Sequence, residues 1–353
     1  MMKKTVILLA VVVFNLPCNN VQEEEKVEEK NENVLIRGEE EYFSGVSKRF
    51  EKSFINRKGL FFDDFEKLPK HISPKRHEGR EKLTRYSYHS VVEKEEWRPK
   101  NKSVEILTED KTSYINLTLA PKQLHKIISG YRAELTLHNG NPDLEEEWYE
   151  WRFMIPTDYE LDEENIGREV SIIQYHYVRP KGEERVLKGP TINFTYLEQY
   201  GKNMLLLRYG IKGQDKSIYK GFDWKVVALD DSIKKGKWYT IRVNIKWSIT
   251  NQGYIAAWLN GKPFTPFNGI HNKVYGTNLY NDIENTFKFG YYRYWDNSKP
   301  TPIYFDYILK TRSYEDLTGE KLSLEALYGR PDDYLYLDKK NKPLKEIKSR
   351  KSK

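Results

Sequence analysis

The chain has 353 residues, of which 38% are hydrophobic, 31% charged and 14% aromatic. This length allows one large domain, and a composition rich in tyrosine and poor in methionine favours strands over a helical bundle. The single cysteine excludes an intramolecular disulfide and a zinc site built from several thiolates. Eight of the 59 basic residues but only one of the 52 acidic residues lie in 339–353. The net charge of +7 therefore belongs to the C-terminal tail, and no nucleic-acid partner is expected.

The N-terminus has the features of an export signal. Two lysines precede an apolar stretch at 5–14, which is too short to span a membrane. Cys18 follows at once and resembles the acylated cysteine of a bacterial lipoprotein; the alternative is ordinary cleavage nearby and free secretion. We expect a signal peptide at 1–18 and a polar tether and lead-in at 19–59. The protein should then be an outer-membrane or cell-surface lipoprotein, or a secreted protein.

Alternating apolar and polar residues dominate the next part of the chain. We expect one folded domain at 60–328, ending in a short helix at 322–328, and a solvated basic tail at 329–353. A period of two predicts strands with one buried face each, and Asn260-Gly261 predicts a tight hairpin turn. The predicted strands are 131–138, 148–155, 171–178, 191–197, 204–211, 238–247, 253–259, 286–294 and 303–310.

Successive strands without amphipathic helices between them predict an all-β fold, an antiparallel β-sandwich. Several strands carry large polar side chains in mid-strand, and a concave sheet lined by them would suit an anionic, hydroxyl-rich ligand. The alternative is that some of these residues lie on the solvated convex face, because the sequence does not give the strand order. The candidate groove residues are Arg132, Glu134, Glu150, Arg152, Gln174, His176, Asn193, Arg208, Lys288 and Tyr292.

Three short motifs resemble those of the polysaccharide lyases related to heparin lyase I and glucuronan lyase. They are Arg-x-Glu at 132–134, Gln-Tyr-His at 174–176 and Lys-x-Gly-x-Tyr at 288–292, in this order. The resemblance extends over residues 60–315, including an aromatic strand and hairpin at 238–261 that look like the family's outer sheet. It implies a concanavalin-like β-jelly roll with a long groove across its concave sheet. It also implies cleavage of uronic-acid polysaccharides by β-elimination.

The resemblance assigns roles to individual residues. His176 corresponds to the family's catalytic histidine, Tyr292 to its catalytic tyrosine and Arg132 to the arginine that begins the first motif. We expect His176 and Tyr292 to meet over a single sugar. Some members use a further glutamine near the N-terminus, which we cannot assign here. Heparin lyases also carry a calcium site without a counterpart that we can identify, so no cofactor is expected for the reaction and a structural calcium stays open.

This chemistry explains why such residues would be needed. β-Elimination removes the C5 proton of a uronate, which is weakly acidic because the neighbouring carboxylate is already negative. Arg132, Gln174 and Lys288 are the candidates to neutralise that carboxylate, and a fixed donor of this kind contributes about 3–4 kcal/mol. If the proton and the leaving oxygen lie on the same sugar face, Tyr292 alone can move both protons. If they lie on opposite faces, His176 abstracts and Tyr292 donates. The sequence leaves both divisions of labour open.

Two other functions stay open. A glycoside hydrolase on the same scaffold could use Glu134 and Glu150 as its carboxylate pair, and a glycan-binding module would need no acid and base. The remaining histidines are weaker candidates: His138 and His271 could line the groove, whereas His71, His77, His89 and His125 are expected in solvated loops or edges. We expect a monomer that binds an acidic polysaccharide and meets a membrane only through a lipid on Cys18.

Overall fold

The computed structural model describes residues 60–65, 103–109, 112–119, 121, 130–137, 146–178, 180, 182, 189–210, 225–264, 273–283, 285–319 and 321, and the backbone of four further short strands. The chain divides into two units, Met1–Glu51 and Lys52–Lys353, and every described residue belongs to the second. The predicted signal sequence, Cys18, the helix expected at 322–328 and the basic residues 339–353 therefore lie outside the described residues.

Strands account for most of the described chain. In chain order they are β1 (Phe54–Arg57), β2 (Leu60–Asp63), β3 (Glu81–Lys82), β4 (Ser87–Ser90), β5 (Val104–Glu109), β6 (Thr112–Leu119), β7 (Tyr131–Leu137), β8 (Glu146–Met154), β9 (Val170–His176), β10 (Pro190–Gln199), β11 (Lys202–Tyr209), β12 (Lys225–Ile233), β13 (Trp238–Lys246), β14 (Tyr254–Leu259), β15 (Lys262–Pro263), β16 (Lys273–Tyr275), β17 (Thr286–Arg293), β18 (Thr301–Thr311) and β19 (Leu335–Tyr336). A 3₁₀ turn at Glu163–Asn165 and a short helix, α1 (Tyr314–Thr318), join them.

The strands form two sheets. The front sheet has eight strands in the order β12-β11-β10-β9-β17-β7-β4-β3. The back sheet has eleven strands, and its main path runs β1-β2-β18-β8-β13-β14-β16-β19, with β5, β6 and β15 attached at its sides. Neighbours pair antiparallel, except that β16 and β19 run parallel. The fold is therefore the predicted β-sandwich of jelly-roll type.

The core lies between the two sheets and is largely aromatic. From the front sheet Leu135 and Phe289 point inward, and from the back sheet Trp151 and Phe305 do so. Their rings pack in tilted and edge-to-face arrangements, as in the contact of Phe289 with Phe305 at 5.2 Å between ring centroids. Because side chains alternate along a strand, the residues between these core positions face outward.

Every strand that the alternating pattern predicts is present, with ends that shift by at most a few residues. The hairpin predicted at Asn260-Gly261 is present too, since both residues have positive φ, 49° and 74°, as a tight turn between strands requires. The side chain of Asn260 strengthens it by accepting a hydrogen bond from the Thr240 amide at 2.8 Å. Strands β1 to β6, β12, β15, β16 and β19 were not predicted. None of the helices in the described part of the chain has the length and apolar character that a bilayer crossing requires.

Candidate functional site

A row of polar residues crosses the outer face of the front sheet. Backbone pairing places Thr136 of β7 beside Lys288 of β17, Lys288 beside Gln174 of β9, Gln174 beside Asn193 of β10, and Asn193 beside Arg208 of β11. Neighbouring strands lie about 4.8 Å apart, so the row extends for about 19 Å across the strands. We call it the Lys288 row. It sets an ammonium group, an amide and a guanidinium group along a line on which an elongated anionic ligand could lie.

A second row, the Tyr292 row, runs beside the first. Arg132 of β7 pairs with Tyr292 of β17, and Tyr292 pairs with Ser171 of β9, which in turn pairs with Thr195 of β10. The guanidinium carbon of Arg132 lies 4.5 Å from the centroid of the Tyr292 ring. At this distance the cation and the ring attract each other.

Glu134 connects the two rows. Its Oε1 accepts a hydrogen bond from Gln174 Nε2 at 2.7 Å, and its Oε2 lies 3.4 Å from Nη1 of Arg132. The bond to Gln174 passes over β17 at Gly290, the residue that pairs with Glu134 and has no side chain to obstruct it. One carboxylate therefore orients both a cationic and a neutral donor.

The side chains at the centre of both rows are withdrawn from water. Each is at most 9% exposed, and they are Arg132, Glu134, Thr136, Gln174, Asn193, Thr195, Lys288 and Tyr292. Charges and hydrogen-bond donors act more strongly in such an environment than in water, because the local dielectric constant is lower. To stabilise a second negative charge on a uronate, a site would need charged and hydrogen-bonding side chains that are shielded from water. This face of the front sheet provides such side chains.

Two glycines shape the backbone under these rows. Gly290 has φ +131°, and a Cβ on it would lie 2.2 Å from the Ala133 carbonyl oxygen, so the residue must be glycine because the backbones approach closely. The β17–β9 register shifts between Phe289 and Tyr292, which is a bulge. A Cβ on Gly130 would lie 2.6 Å from Cε2 of the Tyr292 ring, so the absence of a side chain at Gly130 leaves room for that ring.

Comparison with known families then identifies the class of protein. The family model described as polysaccharide lyase matches residues 80–309, which is well over half of the chain. The chain belongs to the polysaccharide lyase family. The resemblance carried by the three motifs is thereby confirmed, and so is the expectation of a lyase that acts on polysaccharides.

The chain is also similar in part to solved structures of lyases. One is an endo-β-1,4-glucuronan lyase from the fungus Trichoderma reesei, with 18% identity and a TM-score of 0.47 over 64% of this chain and 93% of that one. Another is the alginate lyase Aly36B, with 14% identity and a TM-score of 0.42 over 60% and 84%. A third is the alginate lyase PA1167 from Pseudomonas aeruginosa, with 14% identity and a TM-score of 0.41 over 61% and 87%. No curated protein matches the chain.

The backbones of His176 and Tyr292 lie well apart in the front sheet of this lyase. His176 pairs with Thr286, whereas Tyr292 pairs with Ser171, five residues away on the strand of His176. At about 3.3 Å per residue this separation is about 17 Å along the sheet, which is wider than one sugar ring. His176 is half-buried, and its Nδ1 lies 3.2 Å from the Tyr177 carbonyl oxygen. The register alone therefore does not bring the two residues to one sugar, and their action on the same sugar stays a prediction.

The backbone register places another histidine nearer to Tyr292. His89 of β4 pairs with Glu134 of β7, and Glu134 pairs with Gly290, two residues before Tyr292 on β17. Two strand spacings and two residues separate the backbones of His89 and Tyr292 by about 12 Å. We had expected His89 to lie in a solvated loop or edge, because its strand is short and lacks an apolar pattern. Only the pairing of β4 with β7 shows that it belongs to the sheet of the site.

Two of the predicted groove residues lie elsewhere. Glu150 and Arg152 are on β8 in the back sheet, on the face away from the core. Glu150 accepts hydrogen bonds from Arg242 Nε and from the Tyr307 hydroxyl, both at 2.7 Å, and burial raises its pKa to about 8. Arg152 donates to Asp306 at 2.9 Å. The prediction that they line the groove is wrong, because alternation along a strand does not reveal the sheet to which the strand belongs.

The same placement excludes Glu134 and Glu150 as the catalytic carboxylate pair of a glycoside hydrolase. Glu134 faces outward from the front sheet and Glu150 faces outward from the back sheet, so the core separates them. A retaining glycosidase needs its two carboxyl groups about 5 Å apart across one glycosidic bond. This pair cannot meet that requirement.

Asn193 and Arg208 do lie on the outer face of the front sheet. Arg208 is held there by Glu169, with Nε donating to Oε2 at 2.8 Å and Nη2 donating to Oε1. The side chains of His71, His77, His125, His138 and His271 lie outside the described residues. Among the residues that the structure describes, no group of three or more histidine, cysteine or acidic side chains is arranged to hold a metal ion. The calcium alternative thus stays a prediction without an assigned site.

Proposed function

We propose that this lyase cleaves a uronic-acid-containing polysaccharide by β-elimination on the outer face of the front sheet. The observation that carries the proposal is a connected polar cluster on a surface shielded from water: Arg132 contacts the Tyr292 ring, Glu134 binds both Arg132 and Gln174, and Gln174 pairs with Lys288. Two cations and an amide donor suit a sugar carboxylate, and a phenol in contact with a guanidinium suits proton transfer.

The first step is neutralisation of the sugar carboxylate. Glu134 already orients Arg132 and Gln174, so these donors need little rearrangement when the enolate charge develops. Donors fixed in advance stabilise such a charge better than mobile ones, because no free energy is spent on reorientation during the reaction. Lys288 adds a positive charge next to Gln174. In this assignment the three donors bind the carboxylate and lower the barrier to removal of the C5 proton.

We infer that Tyr292 then performs both proton transfers. Its phenolate takes the C5 proton, the C4–C5 double bond forms, and the C4–oxygen bond breaks. The same proton passes to the leaving oxygen, which becomes a hydroxyl group, and the phenolate is regenerated. This division of labour requires the proton and the leaving oxygen to lie on one face of the sugar. It is supported by the contact of Arg132 with Tyr292 and by the distance of His176 from both.

The test is incubation with a panel of purified polysaccharides: polyglucuronate, polymannuronate, polyguluronate and a neutral glucan. Elimination creates an unsaturated uronate that absorbs in the ultraviolet, whereas hydrolysis creates new reducing ends without that absorbance. Tyr292→Phe should abolish the absorbance change. Tyr304→Phe is the matched control, because that tyrosine lies in the back sheet. Activity on the neutral glucan alone, or full activity of Tyr292→Phe, would refute the proposal.

We also propose that the lyase acts outside the cytoplasm. The lysines and apolar stretch at the start of the chain support export, and Cys18 supports a lipid anchor. Expression of the full chain and of Cys18→Ser in a bacterial host, followed by fractionation, tests both points. The parent chain should sediment with membranes and the variant should be soluble outside the cytoplasm. Identical fractionation of the two would contradict the anchor.

A further inference from the structure

Two side-chain oxygens on β10 have no hydrogen-bond partner. They are Oδ1 of Asn193 and Oγ1 of Thr195, and both are shielded from water. The Asn193 amide nitrogen does have a partner, since it donates to Ser171 Oγ at 2.9 Å. This bond fixes the amide so that Oδ1 is held in a defined direction. Asn193 thus presents one acceptor and Thr195 one hydroxyl group on the same face of the same strand.

An unpaired buried polar atom has a cost. Leaving such a group without a partner typically destabilises a fold by about 1–3 kcal/mol, so these groups call for an explanation. A single case is weak evidence, since Thr240 on β13 in the back sheet also has an unpaired hydroxyl. The pair on β10 differs because it lies within both polar rows of the site. Asn193 belongs to the Lys288 row and Thr195 to the Tyr292 row.

The register also fixes where these groups lie relative to the reaction. Ser171 separates Thr195 from Tyr292 in its row, so the two backbones are two strand spacings, or about 10 Å, apart. A sugar bound over Thr195 would therefore neighbour the sugar that reacts at Tyr292. Arg132 and Lys288 lie on β7 and β17, and Arg208, which pairs with Asn193, is bound by Glu169, whereas Asn193 and Thr195 carry no charge. They match hydroxyl groups rather than a carboxylate.

We propose that Asn193 and Thr195 form a subsite that binds hydroxyl groups of the sugar next to the reacting one. The inference rests on the proposed function, because it takes the glycan to lie along the two rows. A hydroxyl group of that sugar donates to Asn193 Oδ1, and the Thr195 hydroxyl donates to a sugar oxygen. Both atoms are shielded from water in the free chain, so the glycan can reach them only after the protein atoms that cover them have moved. The subsite then selects among polyuronates by the orientation of their hydroxyl groups.

Thr195→Val is the variant that tests the subsite. Valine has nearly the shape of threonine and removes only the unpaired hydroxyl group. If the hydroxyl binds substrate, KM and the dissociation constant for the polyuronate should rise about 3- to 10-fold, the loss expected for one neutral hydrogen bond. The melting temperature should stay equal or rise, because an unsatisfied buried group has been removed. Thr240→Val is the matched control. Its melting temperature should change in the same direction as that of Thr195→Val, and its KM should equal that of the parent chain.

Affinity is measured on the panel of polyuronates by calorimetry as well as by kinetics, so that binding and elimination are read separately. Polyglucuronate and polymannuronate differ only in the orientation of one hydroxyl group, so the ratio of their dissociation constants should change in Thr195→Val. An unchanged ratio together with unchanged KM would overturn the subsite, and so would a parent chain that binds none of the polyuronates. Binding that depends on Thr195 without elimination would support the subsite and refute the proposed reaction.

Discussion

The space beside Gly130 offers a direct test of the position of Tyr292. A Cβ on residue 130 would lie 2.6 Å from Cε2 and 2.8 Å from Cζ of the Tyr292 ring, and 2.6 Å from the Arg293 carbonyl oxygen. Carbon atoms in good contact are about 3.5–4.0 Å apart. In Gly130→Ala the tyrosine ring and the strand edge must therefore shift by about 1 Å. The clash with a backbone oxygen means that rotation of the tyrosine alone cannot relieve it.

The expected effects follow from this displacement. Overpacking of this kind costs about 1–3 kcal/mol of stability. A misplacement of about 1 Å at a reacting group lowers the rate by about 100-fold, because proton transfer depends steeply on distance and alignment. We therefore expect kcat on the preferred polyuronate to fall by about two orders of magnitude. KM should change much less, because Gln174 and Lys288 lie farther along the sheet from residue 130.

Gly253→Ala provides the matched control. A Cβ there would lie 2.8 Å from the Gly276 carbonyl oxygen and 2.9 Å from Asn278 Oδ1, a similar clash next to the back-sheet strand β14. The assay is steady-state kinetics below the melting temperature of each variant, with thermal unfolding measured in parallel. Both variants should lose stability, and only Gly130→Ala should lose turnover. Equal activity of the two variants would show that the position of Tyr292 does not limit the reaction.

Three further predictions concern single side chains. Glu134→Gln keeps a hydrogen-bond acceptor but loses the negative charge that holds Arg132. We expect kcat/KM to fall about five- to tenfold, which corresponds to the difference in free energy between a charged and a neutral hydrogen bond. An unchanged kcat/KM would contradict the role of Glu134. His89→Ala should lower turnover more than His176→Ala, because the backbone of His89 lies nearer to Tyr292 than that of His176. A larger loss in His176→Ala would show that distance in the backbone register does not decide which histidine takes part. Burial lowers the pKa of Lys273 to about 8, from 10.5 in the unfolded chain, so the free energy of unfolding should rise as the pH is raised from about 8 to 10.5. In urea unfolding, Lys273→Met should lack that rise.

The sequence predicted the strands well because the period of two is a local property. Residues 131–138 alternate cleanly, and β7 forms there with Leu135 inward and Glu134 outward. The strand β12 was missed, since four apolar residues in a row at 226–229 hide its alternation. The short strand β4 has no apolar pattern at all, and only its partner β7 defines it.

The composition of the site was partly predictable for a different reason. Arg132, Gln174, Lys288 and Tyr292 were singled out by motifs, and the pairing of β7, β17 and β9 brings them onto one face. Glu150 has the same local pattern as Glu134, with apolar neighbours on both sides. It is nevertheless in the other sheet, where Arg242 and Tyr307 bind it. Strand order decides between these outcomes, and it depends on pairing between residues that are distant in the sequence.

The separation of His176 from Tyr292 follows from strand direction. Lys288 lies beside Gln174, and β17 runs antiparallel to β9. Moving forward from Lys288 to Tyr292 therefore means moving backward along β9, from Gln174 toward Ser171 and away from His176. The same holds for any antiparallel pair of strands in which the glutamine of Gln-x-His pairs with the lysine of Lys-x-Gly-x-Tyr. The histidine and the tyrosine then lie on opposite sides of the glutamine–lysine pair. This register favours an elimination that relies on Tyr292, alone or with a group from another strand, over one in which the imidazole and the phenol share a sugar ring.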